Sequence, residues 1–141
     1  MRYLAIDYGS RRTGLAICDL SETIVSPLAV VDSRKGLFEK IINIIKTENV
    51  EAVVVGLPLN MDDSEGPQAQ LTEKFAERLK KELQIPVYLQ DERLSSFAAE
   101  EKLAPAQYTR GKKKKRLDAI AAAEILEVFL QQKKTDNQTR Q

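Results

Sequence analysis

The sequence contains no histidine and no tryptophan, and only one cysteine among its 141 residues. Without histidine the chain cannot build a serine–histidine–aspartate triad, an imidazole general base or the usual zinc site. Carboxylates, lysines or hydroxyls must therefore carry any reaction, and oxygen ligands select hard cations such as Mg2+ or Mn2+. The lone Cys18 can close no internal disulfide, which fits a cytoplasmic protein, and its apolar neighbours make it a small core residue. No apolar run approaches the roughly 20 residues of a membrane span. The start, "MRYLAIDYG", is too short and too acidic for a signal peptide. Internal repeats are absent, as is the G-x-x-x-x-G-K-[ST] phosphate loop.

What is present suits one soluble domain large enough to bury a core unaided: 43% of residues are hydrophobic and 30% charged. The formal net charge is only +1, so the distribution of charge matters more than its sum. The run "RGKKKKR" over 110–116 places Arg110, Lys112, Lys113, Lys114, Lys115 and Arg116 within two helical turns' worth of chain. Taken alone, such a run is a solvated face.

Hydrophobic patterning gives the order of elements. Residues 3–7 and 14–19 form two apolar strands joined by the turn "YGSRRTG", and 23–31 forms a third, whose Pro27 demands an edge or a bulge. Leu37, Ile41, Ile44 and Ile45 recur at helical spacing, and "EAVVVGLP" over 51–58 is a buried strand. A helix over 67–83 should bury Leu71, Phe75, Leu79 and Leu83, with Pro67 in its first turn. A strand over 85–90, a short helix over 96–103, a basic loop and a final helix over 117–132 complete the domain. The polar tail 133–141 is expected to be disordered.

Strands separated by helices pair in parallel through right-handed crossovers, so their carboxyl ends share one edge, where sites in such sheets lie. Asp7 ends the first strand, and Asp91 and Glu92 follow the fifth. Asp118, in the opening turn of the last helix, shares a face with Ala122, Ile125 and Phe129, so the packing face carries it toward the same edge. Each acid alone has a plain reading: a turn aspartate, surface carboxylates, a helix N-cap. Together they place like charges side by side, which a divalent pair would neutralise, and two such ions are the recurring solution for phosphodiester cleavage. Arg11, Arg12, Arg93 and the 110–116 run would hold phosphates without reading sequence. Asn60, in "NMDDSEG", either touches substrate or makes a turn. Tyr8 and Tyr108 are the aromatics near this edge, and they form no evident stacking platform.

The motifs "IDYGSRRTGLA", "VVGLPLNMDDSEGPQ", "QDERLSS" and "LDAIAAAEIL", in that order, resemble the YqgF/RuvX family of the ribonuclease H-like superfamily over residues 1–132. The resemblance implies an α/β domain with a mixed five-stranded sheet, strands 1–3 antiparallel, strands 4 and 5 parallel to strand 1, and helices on both faces. It implies a metal-dependent nuclease that processes the 5′ end of precursor 16S ribosomal RNA, or a Holliday-junction resolvase acting on branched DNA. Asp7, Glu92 and Asp118 match the family's catalytic acids, with Asp7, Asp91, Glu92 and Asp118 as candidate ligands of two Mg2+ or Mn2+ ions. Asp63 stands where the family often has glycine, and Ser96 where it often has threonine. Two rivals remain open: an ATP-binding protein of the actin or sugar-kinase type, whose two lobes need a longer chain, and a nucleic-acid-binding assembly factor without chemistry. RNA against DNA, ribosome-assembly partners, and monomer against homodimer are not fixed by these residues.

Overall fold

A computed structural model describes residues 1–60, 62, 64–92 and 110–140. The elements run β1 Tyr3–Asp7, β2 Arg12–Cys18, β3 Val25–Asp32, α1 Leu37–Thr47, β4 Ala52–Leu57, α2 Pro67–Glu82, β5 Val87–Asp91 and α3 Arg110–Arg140. They form one five-stranded sheet in the order β3-β2-β1-β4-β5. The hairpins β1–β2 and β2–β3 are antiparallel, while β4 and β5 follow β1 in parallel. The expected mixed sheet is therefore the observed one.

Alternation along the central strands divides the core in two. Leu4, Ile6, Val53 and Val55 face Leu37, Phe38, Ile41 and Ile45 of α1 and Phe75, Ala76 and Leu79 of α2. On the other face Tyr3, Ala5, Ala16, Ala52 and Val54 meet Ala122, Ala123, Ile125, Leu126 and Leu130 of α3. Small residues on both sides of this second contact let the α3 backbone lie close to the sheet. Each fully buried Leu or Ile in these layers contributes about 1.5–3 kcal/mol of hydrophobic stabilisation.

Pro27 sits where its missing N–H costs least. β3 is an edge strand, and its pairing passes from Leu15–Ala29 to Ala16–Pro27, so Leu28 forms a bulge. Cys18 is buried as expected, accepting the Tyr3 N–H at 3.3 Å.

Three expectations need correction. Leu71 is 47% exposed, and α2 instead buries Ala69, Thr72, Phe75, Ala76 and Leu79. A strict four-residue spacing drifts by about 40° per step, which carries Leu71 off the buried face. The basic run 110–116 is helix rather than loop, and the helix continues to Arg140 through the tail expected to be disordered. Lys133 ties that tail down by donating to Glu22 Oε1 at 2.7 Å and to the Tyr3 hydroxyl at 2.9 Å. The short helix expected over 96–103 lies outside the described residues. Among the described residues no helix is long and apolar enough to cross a membrane.

Candidate active site

β1 places Tyr3 and Ala5 against α3, so alternation carries Asp7, its last residue, to that same face. β5 does likewise from the outer side. Val87 belongs to the core under α1 and α2, and Gln90 and Glu92 therefore point to the α3 face while Asp91 points away. The Glu92 N–H donates to the Leu57 carbonyl at 3.3 Å, holding the strand end in place. Of the two adjacent acids, Glu92 is the one that reaches Asp7.

The Asp7 and Glu92 carboxyls are hydrogen-bonded to each other. Burial, the Glu92 charge and hydrogen bond, and the Asp118 charge push the Asp7 carboxyl up from 3.8 to about 9. Burial also raises Glu92, and the Asp91 charge adds to it, against the Asp7 hydrogen bond that favours its ionised form. Near neutrality the hydrogen-bonded Asp7–Glu92 pair therefore holds one proton between its two carboxyls.

Asp118 approaches from the helix side. Because α3 opens at Arg110, Asp118 lies in its third turn and is not an N-cap. Its Oδ2 accepts from Arg12 Nε at 3.1 Å, both side chains about one-third exposed. A shared proton and the Arg12 guanidinium thus offset part of the charge of three neighbouring acids.

Two glycines make this approach possible. Gly14 pairs with Asp7 across β1–β2, and a Cβ there would run into the Asp118 backbone. Gly56 follows Val55, the β4 partner of Ile6. A Cβ at Gly56 would lie 2.5 Å from both Glu92 Oε2 and Ile125 Cδ1. Asp7 is flanked by glycine on both neighbouring strands, and through those gaps come α3 and the Glu92 side chain. Sequence reading took these glycines as turn or strand-end signals only.

The donor set suits a hard divalent cation, since the hydrogen-bonded Asp7–Glu92 pair lies within reach of the Asp118 charge. In the arrangement described, no three acidic or thiol side chains among the described residues converge as a closed ligand group. Asp118 is the one drawn aside, by Arg12.

The predicted cationic residues fare differently. Arg11 and Arg12 line a cleft of about 270 Å³ together with Arg34, which sequence reading missed. Arg34 is anchored by a bidentate pair with Asp32, 3.1 Å at each contact. The Thr13 and Ser33 hydroxyls, 2.7 Å apart, fasten β2 to the start of that loop. Asn60 makes a turn: its Nδ2 donates to Ser64 Oγ at 3.0 Å and its N–H to the Ser64 carbonyl at 2.9 Å. Tyr8 stacks on Phe75, ring centres 4.5 Å apart, and so packs rather than reaching out. Arg110, Lys112, Lys113, Lys114, Lys115 and Arg116 lie on helical backbone whose side chains are outside the described part. Arg93, Asp63 and Tyr108 are outside the described residues altogether.

A family model described as RuvX, Holliday junction resolvase, matches residues 1–132. The chain belongs to the RuvX family. Among curated relatives of this RuvX-family chain, one from Caldanaerobacter subterraneus subsp. tengcongensis is 43% identical over 138 residues, 95% of this chain and 99% of the relative. Another, from Maridesulfovibrio salexigens, is 39% identical over 132 residues, 92% and 98% of the two chains. Both carry the name "Putative pre-16S rRNA nuclease". The Fowlpox virus resolvase, solved with Holliday junction DNA, superposes with a TM-score of 0.60 at 14% identity, covering 94% of this chain and 98% of its own. RuvC of T. thermophilus, solved with a Holliday junction substrate, gives 0.54 at 19% identity, covering 89% and 92%. At such identities these two structures show a shared fold and nothing finer.

Proposed function

We propose that this RuvX-family nuclease hydrolyses phosphodiester bonds of precursor 16S ribosomal RNA in the cytoplasm, with Asp7, Glu92 and Asp118 as its catalytic carboxylates. The observation that carries the reading is the buried contact between Asp7 and Glu92, with Asp118 within electrostatic reach. Carboxylates crowded together lose stability unless a cation separates their charges, so their arrangement is a cost that function explains. Asp7, Glu92 and Asp118 would hold Mg2+ or Mn2+, two ions by the family pattern, with Asp91 directed to the other face. When bound, such ions supply Lewis-acid activation of water and stabilisation of the departing oxyanion.

The chain's own residues do the rest. Arg12 releases Asp118 toward the acids and, with Arg11 and Arg34, offers guanidiniums to phosphate oxygens beside the scissile bond. The cations of 110–116 lie in the two turns of α3 preceding Asp118, so a strand held there is led to the carboxylates. Asn60 keeps its turn in the β4–α2 loop.

The relatives' name favours ribosomal RNA; the family description and the resolvase-like fold favour branched DNA as the second reading. The deciding assay is manganese-dependent cleavage of single-stranded RNA and of a four-way DNA junction by purified protein, beside Asp7→Asn. Cleavage of RNA by the parent alone supports the proposal. Equal activity in parent and variant refutes it. Selective junction cleavage moves the assignment to the resolvase, and sedimentation should then reveal a dimer, since paired symmetric cuts need a two-fold arrangement.

A further inference from the structure

We propose that the cleft between the outer strand β5 and the C-terminal half of α3 is a pocket for one unpaired nucleobase of the substrate strand, with adenine the best fit. The proposal rests on the nuclease reading for its substrate, but on separate residues for its chemistry. The cleft measures about 280 Å³, at the small end of ligand pockets, and is lined by Tyr3, Tyr88, Gln90, Phe129 and Lys133, with Asp136 at its side.

Its walls are aromatic. Tyr88 and Phe129 lie with ring centres 5.4 Å apart, tilted by 36°, and Tyr3 meets Phe129 edge-on at 5.3 Å. Tyr88 is 41% exposed and lines the cleft, so it is accessible to a stacking partner there. Stacking on such rings is the common device for holding splayed bases.

Its floor is a carboxamide with almost nothing to bond. Gln90 is 8% exposed, and its one hydrogen bond among the described residues is a long one, Nε2 donating to the adjacent Asp91 carbonyl at 3.4 Å. A buried amide left this way costs free energy, so an unpartnered Oε1 at the bottom of a cleft points to a ligand that donates to it. A glutamine amide matches adenine's N6–H and N7 as an acceptor–donor pair.

The electrostatics select a base over a phosphate. Lys133 is already engaged by Glu22 at 2.7 Å, and Asp136 adds a carboxylate at the cleft. Geometry links the pocket to the acids: Gln90 precedes Glu92 by two residues on the same sheet face, about 7 Å along the strand. Tyr3 lies about 13 Å from Asp7 along β1 and Lys133 about 22 Å from Asp118 along α3, so a base in the cleft belongs to a nucleotide a few positions from the one being cut.

The chain has no tryptophan, so Tyr88→Trp installs a sole indole reporter at the cleft. Adenosine 5′-monophosphate in metal-free buffer should quench it saturably, while ribose 5-phosphate should not. Quenching by both or by neither overturns the pocket. Adding Gln90→Leu should weaken the nucleotide by roughly fivefold or more while leaving the melting temperature unchanged or higher, because the buried amide is gone. Unaltered nucleotide binding with lower stability would make Gln90 structural and overturn its role. Cleavage is read separately on strands with one abasic site at successive positions. One position should cut slowly, and Tyr88→Ala should add no further loss there. Uniform cutting across the scan refutes the pocket and leaves the nuclease standing. Nucleotide quenching in a protein that never cleaves refutes the nuclease and leaves the pocket.

Discussion

Replacing Asp7 by asparagine should stabilise the metal-free protein, and by an amount that grows with pH. The native Asp7 carboxyl keeps its proton far above 3.8, chiefly because it is buried and secondarily because Glu92 and Asp118 face it. The unfolded chain gives that proton up near the ordinary carboxylate value. Between those two values the native state binds more protons than the unfolded state, so stability falls as pH rises. For one proton the slope is about 1.4 kcal/mol per pH unit. From about pH 5 to about pH 7 the parent should lose about 3 kcal/mol through this site, or roughly 10 °C of melting temperature for a domain of this size. Asparagine carries no such proton, yet its amide can still donate to Glu92. Melting both proteins in EDTA across that range, and plotting the difference, cancels every titration they share. The gap should open in favour of Asp7→Asn. Adding Mn2+ should close it from the parent's side, as the cation takes the place of the proton. Parallel curves at every pH, or a variant less stable at neutrality, would refute the reasoning, because Asp7 would then be neither strained nor protonated.

Gly56→Ala should abolish metal binding and cost about 1–3 kcal/mol, since the methyl collides with Glu92 and Ile125; calorimetry with Mn2+ reads the first and thermal melting the second. Arg12→Gln removes the guanidinium bonded to Asp118 Oδ2, so Mn2+ should raise the melting temperature at lower concentrations than in the parent, even where nucleic-acid binding is weakened. Asp118→Asn should change stability by under about 1 kcal/mol, as expected for a partly exposed ion pair, while abolishing cleavage. If about five cations of 110–116 contact single-stranded phosphates, a fourfold rise in salt should weaken binding about a hundredfold, and neutralising Lys112, Lys113, Lys114 and Lys115 should flatten that dependence.

Much of this was legible before the fold was known, for identifiable reasons. Strand alternation is local, so it places Asp7 correctly and restricts the second acid to one of two neighbours; only the paired sheet decides that Glu92 faces inward. The helical stripe through Asp118, Ala122, Ile125 and Phe129 is likewise local and lies against the sheet as read. The start of α3 was not legible, because a helix whose first turn has cations and no acid opposes its own dipole and so resembles a loop. Leu71 misled by its spacing. Gly14 and Gly56 signalled only turns and strand ends, and Arg34 and the Tyr88–Gln90 cleft carried no signal, since each acquires its meaning from a partner distant in sequence.

The two glycines also explain why the acids sit on three different elements. A side chain at either position would hold α3 off the sheet or turn Glu92 away, and Asp7 would stand alone at its strand end. With both glycines the three acids are forced into company, and among the described residues a proton and the Arg12 guanidinium offset part of their charge. Each stand-in is removable. The proton leaves as pH rises, and Arg12, one-third exposed, can turn to solvent or to a phosphate. A resting site whose acids are only partly offset, by a removable proton and a mobile guanidinium, is one that hard cations and a nucleic-acid backbone can take over together, with Arg12 passing from the carboxylate to the substrate as they arrive.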